Sequence, residues 1–151
     1  MIFTIMIGAM IFGYFLTLTL APSKLFTLFS QMNLAPWMVM MLFLLILGAL
    51  GLMLDQLAIV LITLPLMYPV VMDLGYHPIW FGIIVVKVAE IGLITPPVGM
   101  NAYVVSASTG IPLETVFRGV GVMLFFELVT LALLLSFPAL TTWLPSMMYA
   151  K

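Results

Sequence analysis

Two long stretches of the sequence carry no charged side chain, residues 1–23 and residues 25–54. A helix needs about 20 apolar residues to cross the hydrocarbon core of a bilayer, so each stretch is long enough for one crossing. Of all residues, 66% are hydrophobic and 6% are charged, whereas a soluble domain carries about 25% charged residues. These few charges are too sparse to cover a soluble globule of 151 residues. The sequence therefore predicts an integral membrane protein.

The apolar runs indicate helices. A strand of an outer-membrane barrel alternates polar and apolar residues over about 10 positions, but MLFLLILGAL (41–50) does not alternate. A helix in lipid pairs its backbone groups within its own segment. We therefore expect an all-α, polytopic membrane protein. The net charge of −1 provides no basic surface for nucleic acid, so no nucleic-acid partner is expected.

Proline, glycine and charged residues divide the chain into five apolar segments, which are Ile2–Leu20, Trp37–Leu54, Gln56–Met72, Pro78–Ile94 and Leu113–Phe137. Pro65 and Pro69 are expected to interrupt the third segment, so that segments two and three form a re-entrant hairpin, or a span followed by a half-helix. Residues 25–33 and the tail 139–151 are expected at the membrane interface. The first segment starts at residue 2 without the charged lead of a signal peptide, and we expect a fragment of a longer protein.

The stretch Thr95-Pro-Pro-Val-Gly99 breaks the helical pattern after the fourth segment. Two consecutive prolines remove two backbone donors, and the carbonyl groups of residues 91–94 lose their helical partners. Each orphaned group costs several kcal/mol in lipid, so such backbone survives only when protein buries it or when it lines a wet cavity. An ordinary loop between two spans is the alternative, because segment four is just long enough to cross.

The chemistry at the break suits an ion and an organic acid. Freed carbonyl groups, the Thr95 hydroxyl and the Asn101 amide supply the hard oxygen ligands that a dehydrated sodium ion needs. The short helix predicted after Gly99, from residue 100 to about residue 109, begins with free N–H groups and the positive end of its dipole, which favour a carboxylate. Transporters place such broken helices near the membrane midplane.

Two stretches carry a resemblance to a known family. GALGLMLDQLAIVLITLPLMYPVVMDLG (48–75) and FGIIVVKVAEIGLITPPVGMNAYVVSASTGIPL (81–113) resemble the large membrane subunit of tripartite ATP-independent periplasmic (TRAP) transporters. The residues that match in order and spacing are Gly51, Asp55, Pro65, Pro69, Gly75, Thr95, Pro96, Pro97, Gly99 and Gly110.

The resemblance implies a function that the residues alone do not. The family's large subunit is an inverted repeat with re-entrant hairpins, and this chain resembles its C-terminal third. The family imports small organic acids, driven by sodium, across the bacterial inner membrane. A periplasmic substrate-binding protein delivers the substrate, and a small four-span membrane subunit braces the large permease in the lipid bilayer. Sodium is the coupling ion, and no other cofactor is expected.

By this resemblance, residues 1–33 form a scaffold span with an interfacial segment, residues 34–112 form the transport-domain hairpin and broken helix, and residues 113–151 form the last span and tail. The candidate residues for binding sodium or substrate are Gly51, Asp55, Gly92, Thr95, Pro96, Pro97, Gly99, Asn101 and Ser106. Thr95 is the candidate sodium ligand. Ser106 could equally make a helix–helix contact.

The charged residues inside the segments have structural alternatives. Asp55 ends a charge-free run and is a functional candidate, but it could also cap a helix or pair with Lys87. Lys87 and Glu90 lie three residues apart on one helical face and are expected to pair. Glu127 could pair with Arg118 or Lys87, and its distance of nine residues from Arg118 favours an interhelical contact. His77, in a turn before a proline, is expected at the interface rather than in a proton relay.

Other functions fit the sequence less well. An aspartyl intramembrane protease needs a GxGD element, and this chain has GLMLD; a serine enzyme needs GxSxG, and SASTG lacks that spacing. No enzymatic activity and no catalytic residue are expected. A proton- or ion-coupled transporter of another elevator family, and a small non-transporting membrane assembly protein, remain the alternatives.

The two aspartates should differ in importance. In the intact transporter, Asp55→Asn is expected to slow substrate uptake more than Asp73→Asn, because Asp73 lies in a predicted turn near water. The measurement is initial uptake rate in proteoliposomes at equal protein content. Equal losses in the two variants would contradict the distinction.

Overall fold

The computed structural model describes residues 2–31, 34–96 and 99–149. Within these ranges all regular structure is helical, which confirms the all-α expectation. The described helices are α1 (Ile2–Leu18), α2 (Ala21–Gln31), α3 (Pro36–Gly51), α4 (Gln56–Asp73), α5 (Pro78–Ile94), α6 (Met100–Thr109), α7 (Leu113–Ser136) and α8 (Ala139–Tyr149).

Most helix ends lie where proline and glycine predict them. Helices α3 and α5 begin with a proline in the first turn, where the missing N–H has no intrahelical acceptor to serve. His77 precedes α5 and caps it, because its Nδ1 accepts a hydrogen bond from the backbone N–H of Ile79 at 3.3 Å. The tail forms an additional helix, α8, which the composition of residues 139–151 did not predict.

The first two helices form a bent pair. Their axes differ by 58° at the turn around Leu20, which adopts a positive φ of 53°. Pro22 is the second residue of α2, so this proline starts a helix as well as following the end of one. Apolar side chains of α2, such as Phe26 and Phe29, pack against the core, and Lys24 lies on the other side.

Helix α4 is continuous through Pro65 and Pro69, which differs from the interruption that the sequence predicted. The two prolines are four residues apart, so the missing hydrogen bonds lie on one face, and a helix can bend there without ending. Helix α1 packs beside this face: a Cβ atom on Gly13 would lie 3.4 Å from the ring of Pro65. Packing by a neighbouring helix makes such prolines tolerable in lipid.

The core lies between α3, α4 and α5. Its fully buried side chains include Leu47 of α3, Ile59 and Val70 of α4, and Phe81 and Ile84 of α5. Helices α1 and α2 pack against α4, and α7 packs against α5 and α6. None of the described residues of α7 is buried, so α7 presents most of its apolar surface outward.

Helices α3 and α5 cross at two glycines in direct backbone contact. A Cβ atom on Gly92 would lie 2.6 Å from the Cα atom of Gly51, and one on Gly51 would lie 2.9 Å from the Cα atom of Gly92. Small residues at such a crossing let membrane helices approach closely and gain packing contacts. Both glycines are candidate site residues from the sequence, and the structure gives them this packing role.

By length and composition, two helices in the described part of the chain could cross a membrane, α4 and α7, and the bent pair of α1 and α2 is a third candidate. Helix α3 has 16 residues and α5 has 17, which correspond to about 24 Å and 26 Å at 1.5 Å per residue. Both lengths fall short of a hydrocarbon core of about 30 Å, and the hairpin expected from residues 37–72 stays a prediction.

The glycine crossing predicts a position-specific effect on stability. In the intact permease, Gly92→Ala is expected to destabilise the fold by about 1–3 kcal/mol, because its methyl group meets backbone that cannot move aside cheaply. Gly82→Ala in the same helix is the matched control, since nothing lies within 4 Å of its added Cβ atom. The measurement is the temperature at which half of the detergent-solubilised protein remains monodisperse; equal temperatures for the two variants would contradict the crossing.

Candidate functional site

Thr95 rearranges the hydrogen bonds of the last turn of α5. Pro96 cannot donate to the carbonyl of Gly92, and the backbone N–H of Thr95 does so instead, at 3.2 Å. The carbonyl of Ile91 thereby loses its ordinary helical donor, and it accepts the hydroxyl proton of Thr95 at 2.5 Å. Thr95 therefore satisfies two of the four carbonyl groups that the sequence predicted to be free.

The same arrangement leaves acceptor lone pairs on the Thr95 hydroxyl oxygen. Its proton is used by the carbonyl of Ile91, and a hydroxyl oxygen keeps acceptor lone pairs after its proton has been donated. The carbonyl of Leu93 would normally accept from residue 97, which is a proline and has no N–H. The negative end of the α5 dipole lies at this turn. The local chemistry therefore favours a cation at the end of α5.

Gly99 makes the turn into α6. Its φ is +31°, in the left-handed region, and its N–H donates to the carbonyl of Thr95 at 3.1 Å. A Cβ atom at this position would lie 2.7 Å from Cε1 of Phe117 in α7. Glycine is needed here for both backbone conformation and space. The sequence singled out Gly99 but did not find Phe117, which lies in the next helix and belongs to none of the motifs that the sequence singled out.

Asn101 lies in the first turn of α6 and is exposed. The backbone N–H of Ala102 donates to the carbonyl of Gly99 at 2.8 Å. The N–H groups of residues 100 and 101 have no acceptor within their own helix, and the helix dipole adds positive potential there. The end of α5 and the start of α6 thus place opposite potentials on the two sides of one break. Pro96 lies in this turn and is exposed, and Pro97 lies outside the described residues.

An apolar groove of about 420 Å³ runs beside the break between α3, α5 and α7. Gly92 and Thr95 lie in its wall, together with Gly48 of α3. The structure therefore brings three of the candidates, Gly51, Gly92 and Thr95, into one region where α3 crosses the end of α5.

The hydrogen bonds of Asp55 and Ser106 are made away from the break between α5 and α6. Asp55 is exposed and caps α4, because its carboxylate accepts from the backbone N–H of Leu57 at 3.1 Å. Asparagine caps helices as well as aspartate does, so Asp55→Asn removes the charge and keeps the cap. Ser106 donates to the carbonyl of Ile111 at 2.8 Å, at the far end of α6. The structure leaves their roles, and those of the other candidates, as predictions.

Lys87 pairs with Glu90 as the helical spacing predicted, and Glu127 makes the expected interhelical contact, with Lys87 as its partner. Lys87 contacts Glu90 at 3.2 Å within α5 and Glu127 of α7 at 2.5 Å. The side chains of Lys87 and Glu127 are about one-quarter exposed. Among the described residues, no group of three or more His, Cys, Asp or Glu side chains lies close enough to hold a metal ion. The oxygens available at the break are those of hydroxyl, amide and carbonyl groups.

Comparison with known proteins finds one family over most of the chain. Residues 1–140 match the family described as tripartite ATP-independent periplasmic transporter, DctM component. A C4-dicarboxylate TRAP transporter large permease protein of Pseudomonas aeruginosa is 38% identical over 97% of this chain and 34% of its own length. A sialic acid TRAP transporter large permease protein of Vibrio cholerae is 34% identical over 93% of this chain and 33% of its own length. The chain thus spans about one third of these relatives.

The turn at Gly99 predicts a difference between two glycines of positive φ. Both Gly99→Ala and Gly110→Ala place a methyl group in the left-handed region, which costs about 1–2 kcal/mol. Only Gly99→Ala also meets a neighbour, because nothing lies within 4 Å of a Cβ atom on Gly110. We expect Gly99→Ala to lower the thermal midpoint of the intact permease further, and Phe117→Leu to recover part of that loss. A larger loss for Gly110→Ala would contradict the contact with Phe117.

Proposed function

Because the chain belongs to the DctM component family of tripartite ATP-independent periplasmic transporters, we propose that it forms part of the large permease of a sodium-coupled importer of small organic acids. The break between α5 and α6 carries this proposal. It combines the end of one helix, the start of another and a threonine hydroxyl whose proton is already used. These features favour a cation on one side of the break and an anion on the other.

On the cation side, we assign sodium to the oxygens of Thr95 and the last turn of α5. The Thr95 hydroxyl and the carbonyl of Leu93 are the two ligands best supported by the hydrogen-bond pattern, and Asn101 completes the candidate set. Neutral oxygens at the negative end of a helix dipole stabilise a monovalent cation without a second buried charge to compensate. Transport is driven in this proposal by sodium entering with the substrate.

On the anion side, the first turn of α6 binds the acidic group of the substrate. The relatives are named for C4-dicarboxylate, sialic acid and isethionate, and these substrates share a negative charge. Exposed N–H groups at a helix start bind such groups well. We therefore propose a small organic anion, such as a C4-dicarboxylate, as the transported substrate.

A complete transporter requires more than this chain. We propose that the remainder of the large permease supplies the opposite half of the binding site. A small four-span subunit and a periplasmic substrate-binding protein complete the complex in the bacterial inner membrane. Within it, residues 34–112 form the moving part, and residues 1–33 contribute to the scaffold.

Removing the Thr95 hydroxyl tests the sodium assignment. In the intact transporter, Thr95→Ala is expected to raise the sodium concentration for half-maximal uptake by about tenfold, the effect of losing one oxygen that contacts a charge. Thr95→Ser keeps the hydroxyl and should stay within about twofold of the parent. The measurement is initial uptake in proteoliposomes over a sodium series at constant ionic strength.

Thr130→Ala is the matched control. Thr130 also donates its hydroxyl to the carbonyl four residues earlier, at 2.8 Å, but it is exposed on α7. Its sodium dependence should equal that of the parent. An unchanged sodium dependence in Thr95→Ala would remove Thr95 from the ligand set.

A further inference from the structure

Helix α7 is continuous and packs beside the broken helix that α5 and α6 form. On the α5 side, the indole Nε1 of Trp80 donates to the carbonyl of Leu134 at 2.8 Å, and the ammonium group of Lys87 contacts the carboxylate of Glu127. Seven residues separate these contacts in α5, and seven separate them in α7. The two helices therefore run antiparallel in register over at least two turns.

The same helix continues past the break to α6. Phe117 of α7 lies against Gly99, where a Cβ atom would be 2.7 Å from the ring. Its ring also contacts Tyr103 of α6 edge to face, with ring centres 6.0 Å apart. With 24 residues, α7 is about 36 Å long at 1.5 Å per residue. It is long enough to hold α5 at one end and α6 at the other.

We propose that α7 is a brace that fixes α6 relative to α5 across the break, and that Glu127 and Phe117 are positioning residues for the ligands there. The break interrupts the regular hydrogen bonds of a helix, and among the described residues the Gly99 N–H donates across it to the carbonyl of Thr95 at 3.1 Å. A second helix that contacts both sides restricts the hinge that two prolines would otherwise allow. The link from this brace to sodium binding rests on the proposed function.

The ionic contact suits this role because its partners are partly withdrawn from water. Lys87 and Glu127 expose only 23% and 27% of their side chains, and a charge left unpaired at membrane depth is costly. Glu90 is half exposed, so it replaces Glu127 only in part. Moving α7 away from α5 would therefore separate charges that have no comparable substitute among the described residues.

The first readout is the distance across the break in the intact transporter in lipid nanodiscs. Spin labels are attached at Val86→Cys in α5 and Val104→Cys in α6, both of which are exposed positions. The 151 residues contain no cysteine, and cysteines in the rest of the complex are changed to serine. Pulsed electron–electron double resonance then gives the distribution of distances between the labels on α5 and α6. The second readout is the sodium concentration for half-maximal uptake.

The test variants are Glu127→Gln and Phe117→Leu, each with a control on the same helix. Glu114→Gln removes the same charge from an exposed pair with Arg118, in which both side chains are about 80% exposed (81% for Arg118 and 79% for Glu114). Phe125→Leu makes the same aromatic change at a position that is 63% exposed. The charge swap Lys87→Glu with Glu127→Lys should restore the ionic contact in the opposite sense.

The brace predicts a broadened distance distribution in both test variants, the parent distribution in both controls, and recovery in the charge swap. The sodium concentration for half-maximal uptake should rise by about fivefold or more in the test variants. An unchanged distribution in both Glu127→Gln and Phe117→Leu, or equal broadening in the controls, would overturn the brace. A broadened distribution with unchanged sodium dependence would uphold the brace and overturn the positioning roles of Glu127 and Phe117. Thr95→Ala, which changes the sodium ligand itself, then decides separately whether the proposed sodium site fails.

Discussion

Pro96 and Pro97 have no backbone N–H, and the lack of these two donors is the central constraint on this structure. In lipid no water is present to satisfy the carbonyl groups that those donors would have served. Thr95 meets part of this demand through its N–H and its hydroxyl, and Gly99 turns the chain into α6 at a positive φ. The carbonyl of Leu93, whose helical donor would be Pro97, then becomes a candidate ligand for an ion.

Pro138, just after α7, also removes a backbone donor, but the outcome differs. Pro138 follows α7 and cannot donate to the carbonyl of Leu134, four residues earlier. The indole of Trp80 donates to that carbonyl at 2.8 Å, which satisfies it and joins α7 to α5. One freed carbonyl therefore makes an interhelical contact, whereas those near Thr95 lie at a break between helices. The difference arises from which side chains lie within reach.

The helix bounds around the break could be predicted because they depend on local chemistry. Proline at Pro78 and glycine at Gly99 act on their own backbone, and α5 and α6 begin and end at the expected residues. The pairing of Lys87 with Glu90 followed from helical spacing. The continuity of α4 through its prolines could not be predicted, because it depends on a neighbouring helix that packs against them.

Contacts between distant segments could not be predicted from the sequence. Gly51 and Gly92 were singled out by their motif, but their direct contact depends on the crossing of α3 and α5. Phe117 is one of 11 phenylalanines, and its place against Gly99 carries no local signal. Of the two partners weighed for Glu127, Arg118 and Lys87, only the packing of α7 selects Lys87.

The most direct test of sodium binding at the break is an electron cryo-microscopy structure of the intact permease, determined once in sodium and once in choline. The account predicts a compact density within coordination distance of the Thr95 hydroxyl oxygen in sodium, absent in choline. Identical maps at the end of α5, or sodium density only at sites formed without Thr95 and its neighbouring carbonyl groups, would contradict it.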